Sequence, residues 1–447
     1  MKFDIYRSKF EKIIYHKYEI KEEYNNLVIT YTFEIPDLKV FKPTLTLSKD
    51  IITNQEYDKN TLNKMIFYIG MVELISYYKC VCPKKVVIEA GYLDQEDQEW
   101  FKKLFYNGLG EFFYRNNINI SIDELFDFEI KGKEIITNDN YKGIGNLIPI
   151  GGGKDSTVTL ELLNSYDNKY FIINPKQVHY DCLAEYNKEN ICSVKRTIDS
   201  GLIELNKEGY LNGHTPFSAI VAFISYMVAY LSNRKYITLS NENSANEPTV
   251  LNTNVNHQYS KSYEFENDFD NFVSKNFNLD IHYFSLLRPI KEIQIALLFS
   301  NYSKYHKIFK SCNVGSKENP WIWCGKCPKC LFVYIMLVAF LDEKEVIDIF
   351  NSNMLDDKEM EHDFLELIGV SETKPFECVG TISEVIFALN MYIKKHDKLP
   401  YLVKLYKDSY YQEMNIDLNY LENDNHNVPS EYYEILKGAI SDANRNI

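Results

Sequence analysis

The sequence predicts an α/β protein built on a doubly wound parallel sheet, with an N-terminal α+β unit and a C-terminal helical segment. Three observations carry that prediction. A short apolar run, Leu147 to Ile150, turns through Gly151-Gly152-Gly153 into a segment that reads as a helix after Ser156. Beyond it, strand and helix patterns alternate over Tyr170 to Ile173, Phe217 to Leu231 and Tyr236 to Leu239, as helices packed on a parallel sheet require. Polar residues also gather just after the strands, where open parallel sheets bind ligands. They are the glycines after Ile150, Asn174, and the dense loop Ser240-Asn241-Glu242-Asn243-Ser244-Ala245-Asn246.

Taken in order, residues 1–140 read as a separate unit. Val28 to Phe33 has strand composition, and Pro36 and Pro43 punctuate the segment after it. Leu62 to Tyr78 is apolar at helical spacing, and Lys85 to Ala90 returns to a strand. Asp94 opens an amphipathic helix through Trp100, Phe101, Leu104 and Phe105, with an acidic first turn suited to an N-terminus. No chemistry shows here, and the unit is expected to pack against the main domain or shape its cleft. Residues 141–345 carry the alternating pattern and form the expected catalytic domain. Residues 346–447 are mostly helical in pattern, at Val346 to Phe350, Asp363 to Leu367 and Ile382 to Ile393, and end in a Tyr-rich polar tail.

Bulk properties narrow the function. A chain of 447 residues with 45% hydrophobic content exceeds one ordinary domain and can build packed cores. A formal net charge of −14 argues against nucleic acid as a partner, because such binding relies on Lys and Arg neutralising phosphates. The first twenty residues mix charges into their apolar positions and do not read as a secretory signal. The longest apolar runs, Phe217 to Leu231 and Leu331 to Leu341, are shorter than the roughly 18 residues of a spanning helix. They read as buried core helices, with no membrane insertion. Nine cysteines without an export signal fit a reduced, cytoplasmic setting.

The glycine stretch suits an anion. Consecutive glycines leave backbone N–H groups uncovered, the following helix points the positive end of its dipole at the same spot, Ser156 offers a hydroxyl and Lys154 a charge. It is not a Walker loop, because Ile148 stands where that motif needs glycine and Asp155 where it needs Ser or Thr. The dinucleotide fingerprint is absent too. The plain alternative is a tight strand-to-helix turn without a ligand. The remaining match, Gly-Gly-Lys-Asp-Ser after a strand, resembles the PP-loop of the ATP pyrophosphatases, enzymes of the adenine nucleotide alpha hydrolase-like fold that cleave ATP to AMP and pyrophosphate. Leu286-Leu287-Arg288-Pro289-Ile290-Lys291-Glu292-Ile293, followed by Ser311-Cys312, looks like the Pro-x-x-Lys-x-Glu-Ile helix start of that group. Lys291 and Glu292 read either as solvent-facing charges or as contacts to ATP.

Cys312 and Cys324-Gly325-Lys326-Cys327-Pro328-Lys329-Cys330 supply four thiolates, enough for a closed tetrahedral zinc site of structural kind. A bacterial-type iron–sulfur run would want cysteine where Tyr334 stands. Zinc is the preferred expectation, with a cluster or free thiols as alternatives.

The PP-loop, the Lys-Glu-Ile helix and this cysteine cluster are together similar to the 7-cyano-7-deazaguanine synthase family over about half the chain. The whole chain looks closer to the MurL family, the UDP-N-acetylmuramoyl-L-alanyl-L-glutamate epimerases. The residues carrying that resemblance are Gly151 to Ser156, Asn212 to Ala219, Ser240 to Glu247, Asn256 to Ser262 and Cys324 to Cys330. The resemblance implies an isomerase of peptidoglycan synthesis, serving cell-wall biogenesis and cell shape. Such an enzyme uses ATP and magnesium to invert the terminal L-Glu of its small UDP-muramoyl peptide substrate through an acyl adenylate.

On that reading Gly151, Gly152, Gly153 and Ser156 cradle the pyrophosphate end of ATP, Lys154 offers charge, and Asp155 is a magnesium ligand. Lys291, Glu242 and Asn243 are further cofactor-binding candidates, although Glu242 and Asn243 equally suit a helix cap. His257, His214, Tyr259 and Lys261 are candidates for the proton-transfer base. Cys182 and Cys192 read as buried small residues, although cysteine pairs do serve as two-base racemase groups. Alternatives are a nitrile- or amide-forming PP-loop enzyme that adenylates a small carboxylate, and a non-catalytic nucleotide-binding module.

Overall fold

The computed structural model describes residues 2–250, 255–371 and 373–445. Its strands are β1 (Lys12–Glu23), β2 (Asn26–Ile35), β3 (Lys39–Phe41), β4 (Thr44–Ser48), β5 (Lys85–Ile88), β6 (Asp127–Ile130), β7 (Ile144–Pro149), β8 (Asn168–Ile173), β9 (Ile191–Thr197), β10 (Arg234–Leu239) and β11 (His282–Ser285). The helices that matter here are α1 (Lys59–Tyr78), α2 (Gln95–Gly108), α3 (Gly110–Arg115), α4 (Lys154–Leu162), α5 (Phe217–Leu231), α6 (Tyr263–Phe277), α7 (Glu292–Ser300), α8 (Pro328–Val338), α9 (Ile382–Lys395) and α10 (Ser430–Asn444).

All the strands join one sheet, in the order β11-β10-β7-β8-β9-β4-β2-β1-β5-β6 with β3 on β2. The pairings from β11 through β10, β7 and β8 to β9 are parallel. The chain winds from β7 outward to β9 on one side, then returns to place β10 and β11 on the other, so the strand order reverses at β7. Beyond β9 the sheet turns antiparallel at β4, β2 and β1, and parallel again at β5 and β6. It is therefore mixed. It also crosses the boundary expected near residue 140, because β4 pairs with β9 from Thr44↔Thr197 to Leu47↔Val194.

Strand alternation sorts the core onto the two faces of the sheet. In β7, Leu147 joins one hydrophobic cluster and its neighbour Ile148 the other, and Tyr283 and Phe284 of β11 divide in the same way. The first cluster is completed by α1, α2, α5 and α6, the second by α4, α7, α8, α9 and α10. Helix α5 is apolar nearly all round because it is buried on all but its first turn. Asp94 caps α2 as expected, accepting from the Asp97 N–H at 2.8 Å.

The tail expected to be polar contains α10, which buries Tyr432, Leu436, Ile440 and Ala443 at helical spacing. Tyr432 reaches through the core to donate to Asn146 Oδ1 at 2.7 Å, while Asn146 donates to Asn168 Oδ1 at 2.9 Å. Cys182 and Cys192 are both buried, but in separate clusters, so they do not face each other across a site. No helix among the described residues is long and apolar enough to cross a membrane.

Candidate active site

The carboxyl ends of β7, β8 and β10 open into one cleft of about 550 Å³ at the point where the strand order reverses. Its size is in the range of small-molecule sites. The glycine loop forms one wall. Gly152 has φ +78°, a conformation open to glycine, and its carbonyl accepts from the Lys310 N–H at 2.9 Å, which ties the loop to a distant segment. A Cβ on Gly151 would meet nothing within 4 Å, so the loop's outer surface is bare backbone. Helix α4 starts directly after Gly153, its N-cap, and thus points its first turn into the cleft. Ser156 lines the cleft and donates to Gly153 O at 3.0 Å. The far walls mix apolar residues at strand ends and the start of α5, such as Ile173, Leu239 and Val221, with Asn174, Ser240 and Asn241.

Asp155 lines this cleft, and the buried Glu242 and Glu292 each bring one carboxylate oxygen to within 4.8 Å of it and of one another. Three hard oxygen donors converging beside an anion cradle form the donor set that a divalent cation such as magnesium prefers. The charges interact strongly. Burial disfavours the charged form of Asp155, but Lys154, Lys329 and Lys261 more than offset it and hold the carboxyl below its usual range. Burial raises Glu292, and the neighbouring Asp155 and Glu242 charges push it up further. Lys154 is buried and ion-paired to both Asp155 and Glu292, so its charge serves the carboxylates and not the cleft directly. Lys291 stands at the N-cap of α7 and is not among the cleft-lining residues. Asn243 faces a separate polar depression, with Tyr259 and Asn256.

Arg288 holds the carboxylate side together from within. Fully buried, it donates to the backbone carbonyls of Glu242 and Lys261, and to Glu266 Oε2 at 3.2 Å. One guanidinium thus fixes two segments that each carry a site residue.

The candidate bases do not share one position. Lys261 lines the cleft, and its Nζ donates to Cys378 Sγ at 3.2 Å. His257 stands behind Cys378, with Nδ1 2.5 Å from Glu111 Oε2 on α3. The His214 ring lies 4.4 Å from that of His257 and its Nδ1 3.5 Å from the same Glu111 oxygen. Burial, with the His257 charge, pushes His214 down to about 4. Burial alone would lower His257 as well, but Cys378 and Glu111 bring it up to about 9. Tyr259 is buried and turned toward Asn107, away from the cleft.

Glu111, Glu292 as a converging carboxylate, and Cys378 are the site residues that sequence reasoning passed over. Cys378 stands 117 residues from Lys261, so no local spacing signals it. The available signal was its being a cysteine outside the cluster, three residues before the N-cap of a helix.

In the cluster itself, Cys312 Sγ lies 3.8 Å from Cys327 Sγ, Cys324 Sγ 3.7 Å from Cys330 Sγ, and Cys327 Sγ 3.4 Å from Cys330 Sγ. Sulfurs about 2.3 Å from a tetrahedral ion stand about 3.8 Å apart, so the spacing fits a four-thiolate metal site. The Gly315 N–H donates to Cys312 Sγ at 3.1 Å, support of the kind a ligating thiolate receives.

A sequence profile described as the MurL N-terminal domain matches residues 5–286, the stretch that holds the glycine loop, Glu242, His257 and Lys261. The chain belongs to the MurL family. A second MurL profile, the C-terminal domain, matches residues 308–414 and takes in the cysteine cluster and Cys378. Two MurL relatives, each named UDP-N-acetyl-alpha-D-muramoyl-L-alanyl-L-glutamate epimerase, illustrate the likeness. That of Xanthomonas oryzae pv. oryzae is 32% identical over 320 residues, 70% of either chain. That of a Micromonospora species is 32% identical over 337 residues, 74% of this chain and 75% of the relative.

Proposed function

We propose that the protein is an ATP-dependent epimerase that inverts the terminal L-Glu of UDP-N-acetylmuramoyl-L-alanyl-L-glutamate to D-Glu. The substrate is that of the named relatives. The observation that carries the ATP part is the meeting, in one cleft, of a bare glycine loop, a helix N-terminus and Asp155, on which the buried Glu242 and Glu292 converge. The sequence of the loop and its place at a strand-order reversal support a fold of the PP-loop type.

Proton removal beside a free carboxylate is hard, because the carbanion would form next to an existing negative charge. In the proposed scheme the glutamate carboxylate attacks the α-phosphorus of ATP and pyrophosphate leaves. The resulting acyl adenylate has an acidic Cα–H, which a modest base removes. Hydrolysis after reprotonation on the opposite face frees AMP and the D-Glu product.

Gly151, Gly152, Gly153 and Ser156 are assigned to the phosphates. Asp155, Glu242 and Glu292 are assigned to a magnesium ion, which would screen phosphate charge during the displacement. Lys154 keeps Asp155 ionised and in place. Cys312, Cys324, Cys327 and Cys330 are assigned to a structural zinc that anchors the segment beside the loop.

Incubating the protein with ATP, magnesium and the L-Ala-L-Glu muramoyl nucleotide in heavy water tests this reading. Substrate-dependent AMP together with deuterium at the glutamate Cα is the expected result. AMP release only with a deazaguanine carboxylate would move the assignment to the synthase class, and no substrate-dependent AMP would overturn both.

A further inference from the structure

Cys378 lines the cleft beside Lys261 and Lys329. Lys261 Nζ donates to its sulfur at 3.2 Å, and Lys329 donates to its backbone carbonyl. Behind it lies His257, whose charge acts on the sulfur and whose Nδ1 is 2.5 Å from Glu111 Oε2. Burial would raise Glu111, but His257, His214 and Arg115 hold it low, and an ionised carboxylate only accepts hydrogen bonds. The proton between them therefore sits on His257 Nδ1, which leaves the other ring nitrogen for the thiol. A cysteine with a lysine ammonium on its sulfur and a carboxylate-anchored histidine behind it is an arrangement that activates a sulfur.

The other candidate bases are poorly placed to accept a proton. Burial works against the charge on Lys261, but Cys378 and Glu242 raise it above its ordinary value, so its ammonium keeps no lone pair. His257 is engaged by Glu111 and is not among the cleft-lining residues. His214 and Tyr259 are not among the cleft-lining residues. Cys378 has a sulfur on the cleft wall with cationic groups around it. Burial pushes its thiol up, yet Lys261, His257 and Lys329 bring it down to about 6. Cys182, near Lys310, and Cys192, near Lys169 and Arg234, are nonetheless pushed up by burial to about 12 and about 11.

The geometry points to Cys378 as a proton-transfer base of the epimerisation, with His257 and Lys261 as positioning residues for its thiolate and Glu111 as the anchor of His257. This assignment rests on the epimerase reading of the cleft. In the step, the Cα–H bond of the activated glutamyl group breaks and its electron pair passes into the enolate, while the proton forms the S–H bond of Cys378. A solvent-derived proton reaching the opposite face of Cα completes the inversion, and Cys378 returns its proton to solvent.

The test compares wild type with Cys378→Ala, using ATP, magnesium and the L-Ala-L-Glu muramoyl nucleotide in heavy water. The expected result is loss of inversion and of Cα deuterium by at least about a hundredfold, the scale of a missing general base. Substrate-dependent exchange of labelled pyrophosphate into ATP should stay within about fivefold, since adenylation precedes the step that uses the thiol. Iodoacetamide labelling of Cys378 in wild type, followed by peptide mass spectrometry, should show a midpoint near pH 6. His257→Gln and Lys261→Met should each move that midpoint upward. Near-wild-type inversion in Cys378→Ala, an equal fall of ATP–pyrophosphate exchange and Cα deuterium exchange, or a labelling midpoint at the ordinary thiol value would overturn the assignment. Inversion without AMP in the wild type would overturn the adenylation reading instead, and the deuterium comparison would still judge Cys378.

Discussion

Asp155 is where the charge systems of the cleft meet. It is paired with Lys154, lies within reach of Glu242 and Glu292, and feels Lys261 and Lys329. A neutral residue here removes a proposed cation ligand and leaves Lys154 with Glu292 alone, so Asp155→Ala should abolish substrate-dependent AMP release. Circular dichroism should show the fold intact, because Asp155 is only partly buried and stands in the first turn of α4. Full activity in that variant would reduce the glycine loop to a turn. Cys378 gives the residue scale a pH signature. The thiolate that accepts the proton is present above its lowered value of about 6 and lost as pH falls through it. The rate of Cα deuterium exchange should therefore fall below pH 6, and a rate unchanged down to pH 5 would count against a thiolate base.

At the scale of elements, the site depends on buried polar ties between segments far apart in sequence. Replacing Arg288 by Leu would free the carbonyls of Glu242 and Lys261 and strand Glu266 in the core. Breaking such a buried pair costs about 3–5 kcal/mol, readable as a shift in urea midpoint, and Lys at 288 should not restore it because one ammonium lacks the guanidinium fork. Tyr432→Phe should cost about 1 kcal/mol through the lost bond to Asn146. The cysteine segment should hold about one zinc ion per chain, and Cys327→Ser should lower both zinc content and Tm, with elemental analysis as the check. The elements themselves were legible where local pattern decides them. The strand before the glycines, the apolar helix Phe217–Leu231 and the Asp94 cap all follow from spacing and capping chemistry that act within a few residues. Helix α10 was equally legible in its buried spacing, but its surrounding polar tyrosines masked it.

At the scale of the whole molecule, one sheet carries two cores, and the cleft opens where the strand order reverses. That placement explains why the glycine loop, the loop after β10 and the Arg288 segment were legible as one site, since each follows a parallel strand. The pairing of β4 with β9 was not legible, because no local signal tells an edge strand which partner it meets. The same holds for Cys378, His257 and Glu111, which come together only through tertiary packing of segments from three regions of the chain. The resemblance to an epimerase family could name the substrate, while only the fold could say which sulfur lines the cleft and which carboxylates converge on Asp155.

The central claim is that this cleft adenylates a carboxylate. It is tested most directly by placing ¹⁸O in the terminal carboxylate of the muramoyl-L-Ala-L-Glu nucleotide and analysing the AMP formed by mass spectrometry. If the glutamate oxygen attacks ATP and the adenylate is opened at its carbonyl carbon, the AMP phosphate carries ¹⁸O. Inverted product accompanied by unlabelled AMP, or by no AMP, would contradict it.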